Sequence, residues 1–158
     1  MEYAASVWNP HLKRDIDLLE NVQRRATRLI PSMKGLSYRE RLRKLNLPTL
    51  RYRRLRGDMI EVFKIVRGIY DNNVTFNMLN FSTRRDISRG HRFKLTKQHC
   101  QTDIKKFAFR NRVVGYWNSL PAKVVEADSV VTFERRLDNF WETLDIEFDC
   151  DVNYPSYV

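Results

Sequence analysis

Apolar residues return every three to four positions through most of this 158-residue chain, and that rhythm belongs to helices rather than strands. Leu12, Ile16, Leu19, Val22, Ala26, Leu29 and Ile30 make the first stripe, and Pro31 stops it. Asn9 is the expected cap, with Pro10 at the first helical position, where a missing N–H costs nothing. Asp15 and Asp17 sit near the positive end of this helix dipole, and Arg24, Arg25 and Arg28 near the negative end. Gln23, Arg24, Thr27 and Arg28 are left for its polar face. Ser37 and Glu40 have the spacing of a capping box, with Tyr38, Leu42 and Leu45 apolar behind them. Asn46-Leu47-Pro48-Thr49 ends that second helix and starts a third, with Thr49 as cap. The third runs from about Leu50 to Arg67 on Leu55, Met59, Val62, Phe63 and Val66, and Gly68 closes it. A fourth is expected from Thr102-Asp103 to Ser119, with Ile104, Phe107, Val114 and Trp117 on one face. A last follows Asp128 or Ser129, with Val130, Phe133, Leu137, Phe140 and Trp141 on one side.

Only five Gly and five Pro interrupt the chain, which favours long helices. Residues 71–101 are the exception, a basic and irregular stretch in which Phe93-Lys94-Leu95-Thr96 alternates like a short strand. The expected fold is therefore mainly α. It is a small bundle of about five helices in two subdomains, with an irregular middle loop and room for one short strand. The expected boundaries are a helical unit over 1–70, a loop or linker over 71–101, a second helical unit over 102–142 and a loose acidic tail over 143–158.

The net charge is +10, unevenly spread. Residues 1–67 hold 16 Lys and Arg against 7 Asp and Glu, residues 84–112 hold 10 against 2, and residues 113–158 hold 3 against 9. Two basic blocks and an acidic end attract polyanions and predict salt-sensitive binding. A membrane partner is not expected: no apolar run approaches the 18 or more residues of a membrane span, and no wide Trp/Phe/Leu face remains free for lipid. The first residues lack the basic and apolar regions of a signal peptide. Cys100 and Cys150 have no framework or CxxC spacing, so a reduced intracellular setting, nuclear or cytoplasmic, is expected.

Catalytic chemistry is hard to place. His91, His99 and Cys100 match no finger or knuckle spacing, and no fourth ligand is near. Cys100 and His99 are neighbours in sequence, so their side chains point apart rather than forming a dyad. No two Asp are adjacent, and Asp149 and Asp151 lie in the acidic tail, so a two-metal phosphoryl-transfer centre is not visible. No catalytic residue, metal ligand or cofactor is assigned. The basic constellations remain. Arg51, Arg53, Arg54 and Arg56 crowd the first turns of the third helix around Tyr52, too densely for a merely solvated face, and guanidinium forks suit phosphates. Arg24, Arg25 and Arg28 are expected to continue this surface, and Arg89 and Arg92 to anchor a second patch beside Arg84, Arg85, His91, Lys94 and Lys97. Phe81 and Phe93 could stack on bases there, although packing explains both as well.

An ordered set of short motifs completes the reading. It comprises Glu2-Tyr3-Ala4 with Val7-Trp8-Asn9-Pro10, Leu18 to Thr27, Tyr38 to Leu42, Leu47 to Leu50, and Arg53 to Glu61. It continues with Arg89-Gly90-His91, Phe109 to Pro121, and Phe133 to Asp138. Together, over roughly residues 2–142, it resembles the region just after the palm of non-LTR (LINE-type) retrotransposon reverse transcriptases. The resemblance implies a helical thumb, and the segment after it, that grip the primer–template duplex behind the palm. It implies an RNA or DNA duplex and the upstream palm as partners. The parent enzymes are RNA-directed DNA polymerases whose catalytic aspartates lie upstream, and no position here matches them. The chain then looks like a piece with the palm missing, and Tyr3 and Trp8 would be exposed where the palm should cover them. Two other readings stay open: a protein-interaction or scaffold piece, in which the acidic tail neutralises the basic block or recruits a basic partner, and a sequence-specific helix-turn-helix DNA binder built on the second and third helices.

Overall fold

In the computed structural model, which describes residues 4–75, 78–82 and 90–148, the chain is mainly helical. Helices α1 (Ala5–Trp8), α2 (Lys13–Arg28), α3 (Tyr38–Leu45), α4 (Leu50–Val66) and α5 (Asn72–Thr75) come first, with a 3₁₀ turn over Pro31–Met33. Then follow α6 (Asp103–Phe107), α7 (Phe109–Ser119), α8 (Ala122–Val125) and α9 (Val130–Glu142). The five of eight residues or more are α2, α3, α4, α7 and α9, and together they make a small bundle.

The local signals behave as physical chemistry requires. Ser37 Oγ accepts from Glu40 N (3.3 Å) while Glu40 Oε2 accepts from Ser37 N (2.7 Å), a complete capping box. Thr49 Oγ1 accepts from Tyr52 N (3.1 Å), and Ser129 Oγ accepts from Thr132 N (3.1 Å). Asn46 takes the left-handed conformation that ends α3.

Helix α4 is the axis. None of its residues is exposed. It packs against α1, α2, α7 and α9. Tyr52, Leu55, Met59, Val62 and Phe63 share one core cluster with Val113, Val114 and Trp117 of α7 and with Phe133, Leu137 and Trp141 of α9. The expected cut between units 1–70 and 102–142 therefore passes through continuous packing: α4, from the first, shares one core with the second. The middle segment is not a free linker either. Leu79, His91 and Leu95 are buried. Trp117 Nε1 donates to Phe93 O (2.8 Å), and Asn118 takes both backbone groups of Leu95, at 2.9 and 2.8 Å. Gly90, at φ +101°, turns the chain into this clamp. Instead of a strand, Leu95 forms an isolated antiparallel bridge with Phe81.

Three elements depart from periodicity. Asn9 does not cap α2, whose N-cap is Leu12 with no side-chain bond. The Asn9 side chain instead accepts from Arg54 Nε (3.0 Å) and donates to Asp58 Oδ2 (3.3 Å), so α4 claims it. The expected fourth helix is two, because Ala108 is extended (ψ 152°), and the break leaves Ile104 86% exposed rather than in the core. The third departure is α2, which is turned around. Glu20, Gln23 and Thr27 are buried, while Leu12, Val22 and Leu29 of its apolar stripe are exposed. Trp8 is exposed as well, and Tyr3 lies outside the described residues.

The acidic end begins docked. Asp145 holds Arg39 (2.6 Å) and Arg43 (3.0 Å), Ile146 is buried, and Glu147 O accepts from Thr49 N (3.1 Å). Residues 149–158, the rest of the expected loose tail, lie outside the described residues. No helix among the described residues is long and apolar enough to cross a membrane.

Candidate nucleic-acid interface

The inverted face of α2 is set by one buried carboxylate. Glu20 Oε1 accepts from the Tyr38 hydroxyl (2.6 Å) and from Leu50 N (3.3 Å), and Oε2 accepts from Arg51 N (3.4 Å). It thus sits at the positive end of α4 and satisfies amides that start that helix. Gln23 continues the seam, donating to Pro48 O (3.0 Å) and accepting from Arg53 Nη2 (2.5 Å). Thr27 Oγ1 accepts from the buried Arg41 Nε (3.2 Å). Polar side chains spaced at 20, 23 and 27 are a helical stripe in their own right, and this was the signal available in the sequence.

Because α4 is central, its four early arginines do not share one open surface. Arg53 and Arg56 point to one flank, lining a cleft with Tyr52, Asp138, Glu142 and Glu147. Arg56 is tied to Asp138 twice (2.6 and 2.8 Å) and to Glu134 (3.3 Å), and these carboxylates hold its guanidinium protonated more firmly than usual. Arg51 and Arg54 point to the other flank, toward Asn9, Asp58 and Arg112. Arg54 is 2% exposed. A single phosphate rail cannot run along Arg51, Arg53, Arg54 and Arg56 together. None of the residues of α4 is fully exposed, which gives no support to its use as a recognition helix in a major groove.

Other predicted residues face outward. Arg25 and Arg28 are exposed, and neither has an ion-pair partner among the described residues. Arg24 is half-buried, donating to Asn21 Oδ1 (2.9 Å) with its guanidinium 4.9 Å from the Tyr38 ring centre. Exposed Lys34 follows on the 3₁₀ turn, and exposed Lys44 reaches Ser32 O (3.5 Å). Around the C-terminal end of α2, Arg25, Arg28, Lys34 and Lys44 thus gather as an outward basic patch, and Glu40 is the sole acidic residue between positions 21 and 48.

The second patch is split. Arg92 has a 70% exposed side chain, 3.7 Å from Glu126 and stacked 4.8 Å from the Phe93 ring centre. Arg84, Arg85 and Arg89 lie outside the described residues. Lys94 turns inward to Asn118 O. Phe93 is half-buried, with Arg67 also over its ring at 5.6 Å, so it serves packing, while Phe81 is 49% exposed. His91 is buried, its Nε2 3.1 Å from Trp117 O, and burial holds its pKa below the usual imidazole value. Cys100 Sγ accepts from Asn111 Nδ2 (2.8 Å). Among the described residues no three His, Cys, Asp or Glu side chains gather in a metal-holding group.

Residues missed in the sequence are the internal partners: Glu20, Asn9, Asp58, Arg112, Asn111 and Asn118. Each satisfies backbone or guanidinium groups from a distant segment, which spacing along one helix cannot announce. No family model, curated protein or solved structure matches this chain.

Proposed function

We propose that this chain is a nucleic-acid-contacting helical piece, similar to the thumb and following segment of a non-LTR retrotransposon reverse transcriptase, and non-catalytic by itself. Its partners are an RNA or DNA duplex and, in a parent enzyme, an upstream palm. The observation that carries the reading is the outward basic patch of Arg25, Arg28, Lys34 and Lys44 in a chain of net charge +10. Arg92, exposed beside Glu126, is a further outward cation. Contact is with phosphates, so binding is tolerant of sequence.

Anisotropy titration of a labelled RNA–DNA duplex tests it. If three phosphates are engaged, affinity falls about 40-fold between 50 and 200 mM salt. Arg25→Glu with Arg28→Glu should weaken binding and lower the log–log salt slope by about two. Negligible binding at low salt rejects the proposal.

A second reading has its own observation. Asp145 already neutralises Arg39 and Arg43, which favours a scaffold role in which the acidic end shields part of the basic block. Asp145→Ala should then raise duplex affinity; unchanged affinity counts against shielding.

A further inference from the structure

Turning Glu20, Gln23 and Thr27 inward leaves apolar side chains of α2 on its outer side. Val22 (49% exposed), Ala26 and Ile30, spaced four positions apart, line an open groove of 570 Å³. Leu45 of α3, Leu47 after it and buried Leu50 of α4 line it from the neighbouring segments. The polar lining is already engaged, Gln23 with Pro48 O and Arg53, and Thr27 with Arg41. The groove therefore offers apolar contact, in a volume typical of ligand pockets, about 300–1,000 Å³.

Its surroundings are cationic. Arg53 belongs to the lining, and Lys44 reaches Ser32 O (3.5 Å), which sets an ammonium near the Ile30 end. Arg25 is exposed on the turn that joins Val22 to Ala26. Among the described residues no carboxylate lines the groove. Glu40, the one acid between positions 21 and 48, is committed to the capping box of α3. A sugar–phosphate rail matches the cations but has nothing to place against Val22, Ile30 and Leu47. A neutral apolar surface matches those side chains and leaves the cations unanswered. An acidic amphipathic ligand meets both demands at once. Helices wall the groove, so it has no strand edge for an extended peptide to join, and the shape that fits is a helix with apolar anchors at i, i+4 and i+7. An anionic membrane is flat, whereas this apolar surface is a recess between α2 and α3.

We propose that the groove formed by Val22, Ala26, Ile30, Leu45 and Leu47 is a docking site for an acidic amphipathic helix of a protein partner. The apolar anchors of that helix fill the groove, and its Asp and Glu side chains meet Arg25 and Lys44. The inference does not rest on duplex contact, which needs the cations alone.

The probe is a designed, labelled peptide of about four helical turns, with leucine at i, i+4 and i+7 and glutamate on both flanks, titrated with the full chain and read by fluorescence anisotropy. Saturable binding is expected, about tenfold or more tighter than for a scrambled peptide of the same composition, and a lysine-for-glutamate version should not bind. Val22 is exposed, so Val22→Asp should melt like wild type and bind the peptide about tenfold or more weakly. Val22→Ser leaves the charge alone. It should weaken the peptide about threefold or more and leave RNA–DNA duplex affinity unchanged, so that failure of the groove and failure of the basic patch are told apart. Methyl NMR of the wild type should show peptide-induced shifts at Val22, Ile30, Leu45 and Leu47. Vesicles of phosphatidylglycerol serve as the anionic-surface control. Equal binding of the scrambled peptide, Val22 variants that bind like wild type, methyl shifts confined to other residues, or tighter Val22-dependent binding to the vesicles than to the peptide overturns the proposal.

Discussion

Exchanging Leu29 for lysine and, separately, Gln23 for leucine should have effects opposite to those that hydrophobic patterning implies. Leu29 belongs to the apolar stripe of α2, yet it is 83% exposed. Complete burial of a leucine is worth about 1.5–3 kcal/mol. The covered part, about a sixth, is then worth at most about 0.5 kcal/mol, and Leu29→Lys should shift Tm by less than about 2 °C. Gln23 belongs to the polar stripe, yet it is 7% exposed and bonded at both ends, to Pro48 O and to Arg53. Gln23→Leu fits the volume but removes one hydrogen bond to the Pro48 carbonyl and one from the Arg53 guanidinium. One neutral and one charge-assisted hydrogen bond together are worth about 2–4 kcal/mol, a Tm loss of about 5–15 °C. Urea unfolding followed by far-UV circular dichroism measures both, provided the slopes stay equal so that the midpoints report stability. A loss above about 2 kcal/mol for Leu29→Lys together with a silent Gln23→Leu would refute the orientation of α2.

Acid should destabilise the fold through His91. Burial lowers its folded-state pKa, so both states are neutral above about pH 6.5. As pH falls below that, the unfolded chain binds a proton that the folded chain refuses, and stability is lost until the folded-state pKa is reached. His91→Gln, which keeps a donor for Trp117 O, should flatten the urea midpoint between pH 6.5 and 5; an unchanged slope would assign the pH dependence elsewhere. Removing Asp138 should matter because Arg56 has two bonds to it in a half-buried cleft. Asp138→Asn should cost about 1–2 kcal/mol, and a double-mutant cycle with Arg56→Met should give a coupling of about 0.5–1.5 kcal/mol that shrinks in high salt. Zero coupling at low salt would mean the pair is not held.

What the sequence made legible were interactions between residues close along the chain. Ser37 with Glu40, Thr49 with Tyr52, and Ser129 with Thr132 are contacts three residues apart, so their chemistry is written locally. The core stripes of α4 and α9 were legible too, because burial there follows the ordinary preference of Met59, Phe63, Phe133 and Leu137. The orientation of α2 was not. Its apolar stripe competes with Glu20, Gln23 and Thr27, and the polar side wins because α4 presents starting amides and guanidinium groups that must be satisfied. The break at Ala108 was hidden because α6 and α7 each fit a helical pattern, and nothing in that pattern fixes their relative phase. Of the site, the density of arginine was legible, whereas its direction depends on partners more than 75 positions away, such as Glu134 and Asp138.

That direction decides what the net charge can do. Arginines held inside still contribute to the long-range field that draws a polyanion closer. They cannot release a phosphate's counterions, because their forks are engaged with Asp138, Asp58, Thr27 and Leu36 O. Salt dependence counts contacts and not total charge. A chain of +10 whose α4 arginines are turned inward should therefore bind with a slope of a few phosphates, set by Arg25, Arg28 and their lysine neighbours. A slope near ten would require α4 to open its flanks, and opening them would expose Leu50, Tyr52 and Leu55 of the core together with the arginines. Binding by that route would then appear as a loss of stability on adding duplex, whereas contact through the outer face of α2 leaves the core shut and raises Tm.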